Sequence, residues 1–119
     1  MIFVEFVESH GVLCLSIEGH AETAPKGEDL ICAAASTLAY TAAYSMEKMS
    51  EEGKFKDNGE FFAQLEPGDC LLVCTPKPEY LAVAMLMLMT VLYGFYVLKE
   101  AFPEVVSVNI EKDEEVKDV

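Results

Sequence analysis

The chain has 119 residues, 52% of them hydrophobic, enough for one compact domain with a substantial core and too few for two ordinary domains. Its 8 Lys and Arg face 21 Asp and Glu, a formal net charge of −13. That balance disfavours binding to a nucleic acid backbone, where cations must displace condensed counterions, and suits a basic protein partner.

Met1-Ile2-Phe3-Val4-Glu5 reads straight into a strand, without a charged and apolar leader or small-residue cleavage site, so a cytoplasmic location is expected. Residues 2–8 and 12–18, separated by Ser9-His10-Gly11, read as a hairpin. Leu13, Leu15 and Ile17 alternate with Cys14, Ser16 and Glu18, the period of a strand with one buried face. His10 falls at the turn, as a solvated residue. Residues 19–29 form a loop with Pro25, Gly27 and several charges but no hydrophobic period, and are expected to be mobile.

Asp29 is placed to cap a helix by accepting from the N–H of Ile31 or Cys32. The helix runs to about Glu52, with Leu30, Ala34, Leu38, Ala42, Met46 and Met49 as its apolar stripe and Gly53 as its stop. Residues 60–66 and 69–75 make a second hairpin about Pro67-Gly68. A second helix spans about 79–101, ended by Pro103. Residues 105–110 have strand character, and 111–119 read as a frayed acidic tail. The order β-β-α-β-β-α-β predicts an α+β fold. Its two layers are an antiparallel or mixed sheet and two long helices on one face, all in a single domain over residues 1–119.

The second helix carries nineteen uncharged residues from Tyr80 to Leu98, long enough to cross a bilayer core. Short flanking segments that belong to one sheet argue against a membrane span. A helix apolar all round needs cover on more than one side, so a homodimer through residues 80–98 is expected.

Four cysteines are present, Cys14, Cys32, Cys70 and Cys74, with no metal-binding or redox pairing pattern. Cys70 and Cys74 share a strand face but stand roughly 13 Å apart, too far for one metal ion, and read as small apolar core residues. Neither a metal nor a cofactor is expected. Cys32 differs, because a cysteine in the first turn of a helix faces unpaired N–H groups and the positive dipole end, which favour thiolate. His20 lies twelve positions earlier in Gly19-His20-Ala21, and the chain between them is long enough to fold back and join the two. An imidazole beside that thiol makes an activated nucleophile: His20 takes the proton, Cys32 attacks a carbonyl, and first-turn N–H groups offer an oxyanion site. From spacing alone, a buried structural Cys32 and a hydrogen-bonding His20 stay open and are the commoner case, since Cys is among the most often buried residues.

Gly19-His20-Ala21 followed by Gly27-Glu28-Asp29-Leu30-Ile31-Cys32-Ala33-Ala34-Ala35-Ser36 resembles the signature of the bacterial ribosomal-processing cysteine protease family, Prp. The similarity extends over essentially the whole chain. It implies a homodimeric protease that removes a short N-terminal extension from large-subunit ribosomal protein twenty-seven and favours aromatic residues next to the cut. It also implies His20 and Cys32 as catalytic dyad, with Gly19, Asp29 and Ser36 at motif positions near the site. Ala35 departs from the branched apolar residue common there, which touches packing rather than chemistry. Two other classes stay open: a non-enzymatic ribosome-assembly or interaction protein with a buried Cys32, and a thiol acyltransferase or hydrolase acting on a thioester.

Overall fold

The computed structural model describes residues 1–20, 29–57 and 61–113. β1 (Ile2–Ser9) and β2 (Val12–Gly19) pair antiparallel around His10 and Gly11. Both turn residues have positive φ, 52° and 82°, which gives the hairpin a backbone twist matched to its strands. Alternation sorts the faces: Ile2, Val4, Phe6, Leu13, Leu15 and Ile17 are buried, while Phe3 and Glu5 face outward.

α1 (Leu30–Glu51), β3 (Phe61–Glu66), β4 (Asp69–Cys74), a single 3-10 turn (Pro78–Tyr80), α2 (Leu81–Ala101) and β5 (Val106–Glu111) complete the expected order. The sheet runs β3-β4-β2-β1-β5 and is mixed, because β5 lies parallel to β1 while the other pairs are antiparallel. The inward faces of the strands and the buried faces of both helices form one continuous core. This is the α+β architecture expected from the sequence.

The first helix departs in part from its expected face, keeping Ala42, Met46 and Met49 of the stripe. In α1 the buried positions are Ile31, Ala35, Ala39, Ala42, Ala43, Met46 and Met49. Leu30, expected in the stripe, is 80% exposed, and Ala34 and Leu38 are only half-buried. A helix this rich in alanine carries little periodic signal to show which face packs inward. Its C-terminus ends as expected: Gly53 has φ 71°, its N–H bonds Ser50 O at 3.0 Å, and Lys54 N–H bonds Met49 O at 3.0 Å.

α2 buries Ala84, Met85, Leu88, Val91, Leu92 and Phe95 and leaves Val83, Leu86, Tyr93 and Val97 exposed. By length and composition it is apolar enough to span a membrane, yet four of its residues are fully buried in the domain core.

The acidic tail begins later than expected. Glu111 belongs to β5, and Asp113 docks on the first hairpin, its N–H donating to Glu8 Oε1 at 2.9 Å and its carboxylate accepting from His10 N at 2.7 Å. Residues 114–119 lie outside the described residues, as does most of the loop expected to be mobile, residues 21–28.

Candidate active site

β2 ends at Gly19, whose φ of 100° few other residues adopt and whose absent side chain leaves room for the carbonyl of Met1. The next residue is His20, held by its backbone: Met1 N donates to His20 O at 2.7 Å. Pairing of β2 with β4 sets Glu18 opposite Asp69, which brings the Pro67-Gly68 turn of the β3–β4 hairpin alongside Gly19. Gly19 N–H donates to Gly68 O at 2.9 Å. The exposed His20 imidazole lies against Gly68, so closely that a Cβ there would occupy the ring's space.

α1 supplies the second half. Asp29 has extended backbone (φ −83°, ψ 94°), and its Oδ1 accepts from Ile31 N at 3.1 Å and Cys32 N at 3.0 Å. This is the cap the sequence implies, and it puts Cys32 at the third helical position, half-buried. Ser36 follows one turn later, exposed, with no side-chain hydrogen bond to the described residues. Gly19, His20, Asp29, Cys32 and Ser36 all line one cavity of about 600 Å³ between the helix start and the β3–β4 hairpin.

Three of the first-turn N–H groups expected to offer an oxyanion site are engaged in this conformation. The N–H groups of Ile31 and Cys32 are taken by the Asp29 carboxylate, and that of Ala33 by Asp29 O at 3.1 Å. The carboxylate also offsets part of the positive field of the helix end.

Leu65, Pro67, Gly68 and Tyr40 complete the walls, and none was singled out by sequence reasoning. Pro-Gly marked the turn, but nothing in the sequence says that β4 pairs with β2. The floor is built of small or apolar groups, among them Ala35, Ala39, Ile2 and Ile17, leaving depth for a bulky side chain. The carboxylates lining the cavity are Asp29, Glu66 and Asp69, and among the described residues no Lys or Arg lines it. Among the described residues no group of three His, Cys, Asp or Glu is arranged to hold a metal ion.

The other cysteines sit in different settings. Burial, with Asp69 nearby, pushes the Cys70 thiol up to about 11. Burial, helped by Cys14, pushes Cys74 up to about 12, and its Sγ packs 3.8 Å from Met46 Sδ. Cys14, on the outer sheet face, is also raised, by partial burial and then by Glu5. These are thiols held protonated.

Solved structures carry the same fold. An essential ribosomal processing protease Prp from S. aureus, in complex with a covalently linked product peptide, superposes with a TM-score of 0.70 at 19% identity, over 92% of this chain and 99% of that one. The same protease with a substrate peptide gives a TM-score of 0.65 at 18% identity, with the same coverage. SMU.848 from Streptococcus mutans gives 0.67 at 24% identity, over 95% of this chain and 96% of that one. At such identities the likeness is one of fold. No match was found among curated protein sequences. Residues 1–107 match the family model described as cysteine protease Prp, and the chain therefore belongs to that family and is a cysteine protease.

Proposed function

We propose that Cys32 is the nucleophile and His20 the general base in cleaving a short N-terminal extension from the precursor of large-subunit ribosomal protein twenty-seven, in the cytoplasm. The observation that carries this reading is that a histidine and a cysteine from separate elements line one cavity beside a capped helix start. Membership of a cysteine protease family leaves no place for a non-enzymatic assembly protein or a thioester-specific enzyme. The similar S. aureus protein is a ribosomal processing protease, which favours a ribosomal precursor as substrate here.

The chemistry runs in two stages. His20 takes the Cys32 proton, and the thiolate attacks the scissile carbonyl carbon. His20 then returns the proton to the leaving amine as the C–N bond breaks, leaving a thioester on Cys32. Water, deprotonated by His20, attacks that thioester, and the proton goes back to the departing sulfur. The apolar floor formed by Ala35, Ala39 and Ile17 suits an aromatic side chain next to the cut. The acidic rim and the net charge of −13 favour a basic ribosomal protein over an acidic one.

The exposed face of α2 is assigned to a homodimer. Val83, Leu86, Tyr93 and Val97 form one apolar stripe along it, open to solvent in the single chain. The deciding experiment is incubation of the ribosomal precursor with the wild type, Cys32→Ala and His20→Ala, read by mass spectrometry. Cleavage is expected with the wild type alone, and equal cleavage by a folded Cys32→Ala protein ends the proposal.

A further inference from the structure

The β3–β4 hairpin ends in an uncommon way. Two-residue hairpin loops favour turns whose first central residue has positive φ, because those match the strand twist. Here Pro67 occupies that position with its φ locked negative, and Gly68 takes φ 75°, the pattern of a type II turn. Such a turn does not match the right-handed twist of its flanking strands, although the ladder runs in register up to Glu66 and Asp69. The tip is then anchored outside its own hairpin, through Gly68 O, which accepts from Gly19 N at 2.9 Å. A local rule is broken where the hairpin meets the residue preceding His20.

The missing side chain has a second consequence. A Cβ built on Gly68 would meet His20 Nε2 and Cε1 at less than 3.0 Å, closer than real Cβ atoms approach anything. The glycines at the other two tight bends differ: Gly11 (φ 82°) and Gly53 (φ 71°) have nothing within 4 Å of an added Cβ. Conformation alone explains glycine at those positions. At Gly68 conformation and space both demand it, and the space is filled by the imidazole.

We infer that Gly68 is a positioning residue for His20, its bare backbone forming the surface on which the imidazole rests and its carbonyl fixing the strand end that carries the ring. The inference rests on the reading of His20 as general base. His20 is otherwise exposed, and its carbonyl is tied to Met1. Rotation of the ring is therefore the freedom left to it, and the Gly68 surface limits that rotation. A shift of about 1 Å in a general base costs on the order of 100-fold in rate.

Three variants separate this role from backbone strain. Gly68→Asn carries a Cβ but tolerates positive φ, Gly68→Ala carries a Cβ and is strained, and Gly11→Ala is strained at a bend far from His20. Two readouts are used: cleavage of a peptide spanning the N-terminal extension of the ribosomal precursor, and the pH dependence of Cys32 alkylation by iodoacetamide, which needs no substrate. Gly68→Asn should keep a near-wild-type thermal midpoint, lose about 100-fold in cleavage, and shift its alkylation profile toward that of His20→Ala. Gly11→Ala should lower the midpoint as Gly68→Ala does and leave both readouts unchanged. Adding Gly68→Asn to His20→Ala should change neither readout further.

The inference is overturned if Gly68→Asn keeps wild-type cleavage and alkylation profile, or if its effect adds in full to that of His20→Ala. Should the wild type leave the peptide intact, the substrate assignment fails, and the alkylation arm still decides for or against Gly68.

Discussion

Glu8 is the buried charged residue of the described core, 3% exposed, and its replacement by alanine tests how the C-terminal end of the chain is held. One carboxylate oxygen accepts from Gly11 N at 2.9 Å, the other from Asp113 N at 2.9 Å. One side chain thus ties the first hairpin turn to the residues after β5. Hydrogen bonds to a charged group contribute about 1.5–3 kcal/mol each, and both amides belong to half-buried residues that water can reach after truncation, which places each at the lower end. The loss comes to about 2–3 kcal/mol once recovery of the carboxylate's own desolvation is allowed for. With an unfolding entropy of about 2.1 cal/mol/K per residue, this corresponds to a fall of roughly 8–12 °C in thermal midpoint. Calorimetry gives the midpoint, and amide hydrogen exchange at Gly11 and Asp113 locates the effect. Cleavage per folded molecule should be unchanged, since Glu8 pairs with Leu13 while the site lies at the opposite end of the hairpin, where Ile2 pairs with Gly19. A midpoint within 2 °C of wild type, or unchanged protection at Asp113, would refute the reasoning.

Three further outcomes are expected. Iodoacetamide at neutral pH should label Cys32 before the others, because Cys14, Cys70 and Cys74 are all held protonated by burial; peptide mapping after brief exposure checks the order. Stability should fall on the alkaline side. The unfolded chain releases the thiol protons of Cys70 and Cys74 near the ordinary value of 9.0, whereas the folded chain retains them to about 11 and 12. The stabilisation is therefore complete below the unfolded value and declines as pH rises toward the folded ones, by up to about 1.4 kcal/mol per pH unit for each thiol. Urea midpoints between pH 8.5 and 10 should show the slope, and Cys74→Ala should flatten it whatever its cost to the core. By light scattering the wild type should be a dimer, and Leu86→Glu, on the exposed stripe of α2, should give a folded monomer or an aggregate.

Much of this fold follows from short-range pattern. The hairpins were legible because Leu13, Leu15 and Ile17 alternate with polar neighbours, and the start and end of α1 because Asp29 and Gly53 have stereochemical reasons to stand there. Where composition is uniform the signal vanished: Leu30 looks like a core residue beside Ile31, and in α2 nothing in the chain separates Leu86, exposed, from Leu88, buried. His20 and Cys32 were visible as candidates from their local settings. The Pro67-Gly68 wall was not, because it reaches the site through the pairing of β2 with β4, and strand order is set by how the whole sheet packs. Docking of Asp113 escaped notice for the same reason: a carboxylate in an acidic stretch looks solvated until a distant backbone N–H is brought to it.

The anchoring of His20 to Met1, the residue just before β1, has a practical side. Met1 donates to the His20 carbonyl and Ile2 lines the cavity that holds Cys32, so residues fused ahead of Met1 leave the sheet beside that cavity. A purification tag joined there is an extended peptide at high local concentration next to a peptidase cleft, placed to compete with any added substrate. β5 runs parallel to β1, so a tag joined after it departs from the far end, near His10. Assays on proteins tagged at the two ends would then report different apparent affinities for one and the same enzyme.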